Sequence, residues 1–268
     1  MKHLYLFFLA YNISILSYSQ SQERDINNFL EYYPERHKAY EYFKEEKYEQ
    51  AYFLLKKLYD KYGTDIAIED NSYVTYVRAA ELSNQCFSRF KAVKFLIEKC
   101  GYDDTPLKYK NHDLYETYIK SGIDKEYIEI LRKRYLKKIN MSLRKHIIKM
   151  VERDQLYRRG YRGKDKLKKL DSIDEINEKL LIKVFEKYGY PNHRMIGNYW
   201  VDEKHVMLSS VLRHTSDSIK INYFLPKIYD FINKGETTPK FYNSMLMHYK
   251  KKHLNICDKL NTINMKYN

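Results

Sequence analysis

The sequence predicts an all-α protein, and three observations carry that expectation. Apolar residues recur at i, i+3, i+4 and i+7 from Arg36 to about Ile139, and again beyond Leu143. Only 8 glycines and 5 prolines occur in 268 residues, and several stand where an apolar period ends. Hydrophobic residues make up 44 % of the chain, enough for a core, and Pro and Gly are too few for long linkers. The length suits one large domain or two modest ones.

The chain opens with MKHLYLFFLAYNISILSYSQSQERD. Lys2 and His3 precede an apolar run from Leu4 to Leu16, and small residues at Ser17 and Ser19 fit a signal-peptidase site before Gln20. The run is shorter than the roughly 20 apolar residues of a spanning helix. Residues 1–19 are therefore expected to be a signal peptide, with the protein exported to the periplasm or beyond the cell and no transmembrane anchor left after cleavage. Loss of Lys2 would take the net charge from +14 to +13 (14 − 1). The remaining cations alternate with Glu and Asp along the chain, which describes solvated helix faces, and no nucleic-acid partner is expected.

Residues 20–139 are expected to form helical hairpins. Tyr48, Ala51, Tyr52, Leu55, Leu58, Tyr59 and Tyr62 share one face that Gly63 closes. EEK (45–47) is the turn from a shorter stripe of Ala39, Tyr42 and Phe43. Tyr73, Tyr76, Val77 and Ala80 line a third helix, and Val93, Leu96, Ile97 and Cys100 a fourth. Leu114, Tyr115 and Tyr118 run to Gly122, and Tyr127, Ile128, Leu131 and Tyr135 mark a further helix. AYEYFKEEKYEQAYFLLKKLYDKYG and YVTYVRAAELSNQCFSRFKAVKFLIEKCGY resemble tetratricopeptide-type repeats. Ala92 follows Ala51 by 41 residues (92 − 51), against about 34 in that family, and Glu46 replaces the repeat's glycine. The resemblance implies a surface that takes a protein or peptide; a scaffold with no partner fits the residues equally well.

Residues 140–252 are expected to form a compact helical domain, followed by a polar tail at 253–268. Leu143, Ile147, Met150 and Val151 set an apolar face, and at about 100° per residue Asp154 and Arg158 fall on it as an i, i+4 pair. Ser172 with Glu175 reads as a capping box for the next helix. Its stripe of Ile173, Ile176, Leu180, Leu181, Val184 and Tyr188 has Asn177 in the middle. Met207, Ser210 and Val211 set a third face that continues through His214. Pro226 is expected to kink or restart a helix, and Thr238-Pro239 to start the last one.

The patterns ERDQLYRR, DSIDEINEKLLIKVFEKYGYP, IGNYW, VLRHTSD and FLPKIYDFINKGE resemble an uncharacterised bacterial family of helical domains. The resemblance singles out Asp154, Gln155, Arg158, Asn177, Gly189, Pro191, Gly197 and His214. It also implies an Asp-Arg pair in the last helix and a Gln-x-Tyr-Gly ending, but MLMHYKKK stands there instead.

The candidate polar pocket is therefore Asp154, Gln155, Arg158, Asn177 and His214. His214 suits a general base, Asp154 its orienter, Arg158 an anion holder and Asn177 a donor to an oxyanion. No nucleophile motif surrounds Ser209 or Ser210, so no residue is assigned as catalytic. No phosphate loop and no metal-ligand spacing occurs, so neither cofactor nor metal is expected. Cys86 and Cys100 fall on successive helices roughly 15–20 Å apart, too far to bridge. Two functions stay open. One is an exported interaction or scaffold protein. The other is a small-molecule or peptide enzyme, such as a degenerate hydrolase, using the Asp154/Arg158/Asn177/His214 cluster.

Overall fold

The computed structural model describes residues 29–69 and 71–250, and every regular element among them is helical. The expected signal peptide, Cys257 and the tail at 253–268 lie outside the described residues. No described helix is long and apolar enough to cross a membrane.

Helices α1 (Phe29–Lys44) and α2 (Tyr48–Tyr62) form the first hairpin. α1 begins about two turns before Arg36, where the sequence period first becomes clear. The turn is made by Glu46, whose φ of 59° is left-handed, with Lys47 N–H bonded to Tyr42 O at 2.9 Å. That conformation favours glycine, the residue of the tetratricopeptide pattern at this place. Helices α3 (Ser72–Leu82) and α4 (Arg89–Glu98) follow, and their turn uses a left-handed Asn84 at φ 53°. Ala51, Ala79 and Ala80 are buried together where α2 crosses α3, small side chains that let the two backbones approach. Cys86 is exposed and Cys100 buried, and no disulfide joins the two.

Short helices α5 (Thr105–Lys108) and α6 (Tyr115–Lys120) lead to α7 (Lys125–Lys138), which Asp124 caps by accepting from Tyr127 N–H at 2.7 Å. Asn140 caps α8 (Met141–Gln155) in the same way. The chain then widens into a π-turn, Leu156–Gly160, before α9 (Lys166–Tyr188). The proposed start of α9 at Ser172 is wrong. The helix reaches back to Lys166 because the Lys- and Leu-rich residues before Ser172 are good helix formers with no breaker among them. Ile176, assigned to the apolar stripe, is 43 % exposed, because the buried face runs through Ile173, Asn177, Leu181 and Val184.

A loosely structured segment follows, with α10 (His193–Ile196) and a 3-10 turn at Tyr199–Val201. Then come α11 (Leu208–Arg213) and α12 (Asp217–Ile219). Met207 is not on the buried face of α11: it precedes the helix and is exposed. A second π-turn, Lys220–Phe224, joins α12 to α13 (Leu225–Asn233). Leu225 N–H bonds to Lys220 O across this wide turn, and Pro226 sits in the first turn of α13, where its missing N–H costs little. Thr238 and Pro239 open α14 (Pro239–Lys250). One apolar cluster runs from Tyr32 to Leu246, so the segments on either side of residue 140 share a core, and α1 packs directly on α13.

Candidate functional site

Helices α8, α9 and α11 touch one another pairwise, and the polar residues gather at that junction. Asp154 is 0 % exposed and Asn177 1 %, so the helix arithmetic placed both correctly. Arg158 Nε donates to Asp154 Oδ1 at 2.9 Å, and Gln155 Nε2 to Asp154 Oδ2 at 2.8 Å. Arg158 Nη2 also donates to Asp174. The result is a carboxylate–guanidinium–carboxylate triad with both oxygens of the buried acid occupied.

Asn177 does not join that triad. Its Oδ1 accepts from Arg153 Nη2 at 2.7 Å, and its Nδ2 is buried with no acceptor. His214 caps the C-terminus of α11 and makes no side-chain hydrogen bond among the described residues. Burial pulls its imidazole down to about 4, with Arg158 adding to the fall and Asp154 opposing it. His214 is therefore neutral at neutral pH. Burial pushes the Asp174 carboxyl upward, while Arg158 draws it back.

Neither Ser209 nor Ser210 is placed to serve the cluster. Ser210 Oγ donates to Met207 O at 2.7 Å. Ser209 lines a different cavity, of about 190 Å³, together with Glu69, Tyr190, His193, Thr237 and Phe241. A shallow hollow of about 370 Å³ lies at the α1–α2 turn against the end of α3, lined by Glu46 to Gln50, Leu82 and Ser83. None of the five candidate residues borders either space. Among the described residues, no group of His, Cys, Asp and Glu converges as a metal site.

Four groups escaped the sequence. Asp174 lies three residues before Asn177 on the same face, so the periodicity that found one contained the other. Arg144 is 0 % exposed, although it sits among the apolar residues of α8. It donates to Asp202 Oδ2 at 3.1 Å and also pairs with Oδ1, and it binds the carbonyls of Ile196 (2.9 Å), Gly197 (3.2 Å) and Lys204 (2.9 Å). Lys220, 2 % exposed, pairs with Asp217 at 3.2 Å. Glu69, its side chain 4 % exposed, accepts from the backbone N–H of His193 at 3.0 Å and of Arg194 at 3.3 Å. Burial pushes its carboxyl up, against the pull of His193 and Arg194. No local motif announces Arg144 or Glu69, because their partners come from tertiary closure, whereas Lys220 pairs locally with Asp217 and only its burial was hidden.

Compared with protein-family models, with curated proteins and with solved structures, the chain matches none.

Proposed function

We propose that this is an exported helical interaction protein that docks a peptide segment of a partner at the first hairpin. The α8–α9–α11 polar cluster then serves to register helices. The single observation behind this reading is the hollow at the α1–α2 turn. Leu82, 51 % exposed, forms part of its wall, and Phe53, also 51 % exposed, lies one helical turn beyond Gln50. Glu46 and Glu49 stand exposed at its rim without an ion pair among the described residues. In a chain of net charge +14 this is an acidic, apolar spot, and it suits a segment with an apolar anchor beside a basic residue. The tetratricopeptide resemblance of the same hairpins points the same way.

A selection of displayed peptides on the full-length protein tests this. Recovered sequences should pair an apolar residue with Lys or Arg. They should lose binding at least about tenfold to Phe53→Ser/Leu82→Ser. Peptides that bind wild type and that variant equally would sink the idea. For export, the mature chain recovered from the envelope should begin at Gln20.

A second reading, an enzyme of small molecules or peptides in the manner of the uncharacterised family, has one observation in its favour. Asn177 Nδ2 is a buried donor with no acceptor among the described residues, on a helix that packs against the one His214 caps. Against it stand the engagement of both Asp154 oxygens by Gln155 and Arg158 and the absence of the five residues from the two cavities described. Hydrolysis of generic ester or peptide substrates that vanishes in His214→Gln would restore it.

A further inference from the structure

The two most exposed large apolar side chains among the described residues are Leu156 (62 %) and Leu167 (76 %), and both lie at one corner. Leu156 opens the π-turn that ends α8, and Leu167 is the second residue of α9. Lys166 Nζ donates to Arg158 O at 2.9 Å and ties the two ends together. Arg159, Arg162, Lys164 and Lys168 fall between or next to the leucines along this same turn of chain, all exposed and without an ion pair among the described residues. The only acid between residues 156 and 170 is Asp165, which Lys169 neutralises at 3.1 Å and the Tyr161 hydroxyl also contacts. The Tyr157 and Tyr161 rings lie 5.5 Å apart in the same corner.

Charge alone would suit any polyanion. Protruding aliphatic side chains interleaved in the chain with unpaired cations and tyrosines suit one partner better. In a bilayer with anionic headgroups the leucines reach the acyl boundary, the cations meet the phosphates, and tyrosine prefers the interface. We propose that the α8–α9 corner is a peripheral membrane-docking patch for anionic lipid, with Leu156 and Leu167 inserted and Arg159, Arg162, Lys164 and Lys168 at the headgroups. It is a different surface from the acidic hollow, and it stands whether or not that hollow takes a peptide.

The test places an environment-sensitive dye at Leu167→Cys in the full-length chain, with Cys86→Ser and Cys257→Ser removing the competing thiols. A control carries the dye at Lys57→Cys, exposed on α2. Vesicles are phosphatidylcholine with or without roughly one-third phosphatidylglycerol. The expected result is a blue shift at residue 167 on the anionic vesicles alone, none at residue 57, and reversal between about 0.1 and 0.5 M salt. On unlabelled protein, Leu156→Ser/Leu167→Ser should cut binding several-fold with all cations present. Arg159→Gln/Arg162→Gln/Lys164→Gln/Lys168→Gln should cut it more than tenfold. A dye at 167 that stays in water on anionic vesicles overturns the proposal. So does equal binding to neutral vesicles. Binding lost with the cations but not with the leucines also overturns it, and would mark a general polyanion surface.

Discussion

Arg158, at the centre of a π-turn, bonds through its Nε to Asp154 Oδ1 at 2.9 Å, so a partly exposed cation neutralises an acid with no exposure at all. The other arm of the guanidinium holds Asp174, and the turn that widens α8 thereby anchors it to α9. A buried carboxylate left alone is far costlier than a half-exposed one. Arg158→Ala should therefore lower stability by about 3 kcal/mol, and Asp174→Ala, which leaves the Asp154 pair intact, by about 1 kcal/mol. Urea denaturation of both variants decides the matter; equal losses would contradict an arrangement centred on Asp154.

His214 gives a pH signature. Its folded value of about 4 lies below the roughly 6.5 of an unfolded chain, so the unfolded state takes up the proton first as pH falls. The stability tied to the neutral imidazole is fully present above pH about 6.5 and is lost progressively down to about 4. With allowance for partial exposure the loss amounts to no more than about 2 kcal/mol. The variant His214→Gln should flatten the fall in melting temperature between pH 7 and 5. If wild type and variant fall in parallel, the imidazole is not held neutral.

Arg144 should be among the least replaceable residues. Arg144→Lys keeps the charge but cannot reproduce a planar fork that serves Asp202 and three carbonyls at once. A loss of about 2–3 kcal/mol is expected from Arg144→Lys and more from Arg144→Met. Chemical denaturation reads this directly, and a Lys variant as stable as wild type would refute the need for the fork.

Glu46 offers a gain. Its left-handed backbone costs an ordinary residue about 1 kcal/mol that glycine avoids, so Glu46→Gly should stabilise the protein by several tenths of a kcal/mol after the added freedom of the unfolded chain. A lower melting temperature in that variant would show that the Glu46 side chain contributes more than its backbone costs.

Periodicity made the helices and the inward direction of Asp154 and Asn177 legible, because both depend only on spacing along one helix. The Arg158 pairing was legible for the same reason. What periodicity could not supply was everything set by closure. Asn177 turned to Arg153 rather than to Asp154. Arg144 met Asp202 across 58 residues of sequence, and Glu69 found the N–H groups of residues beyond 190. Ser172 misled because a capping box means a helix start only where something before it breaks the helix, and Lys166 to Asp171 does not.

The segment from Asn192 to Lys204 has little regular structure, yet it receives bonds from most of the molecule. Asn198 donates to Cys100 O at 2.6 Å, Asn140 N–H to Met195 O at 2.8 Å, and Arg132 bridges Gly101 O and Trp200 O. Contacts of such long sequence separation form late, since the loops they close are long. This stretch is the arch's keystone. A nascent chain that ends before it lacks these ties, and cutting the protein near residue 140 should yield two fragments that are each less stable alone than together.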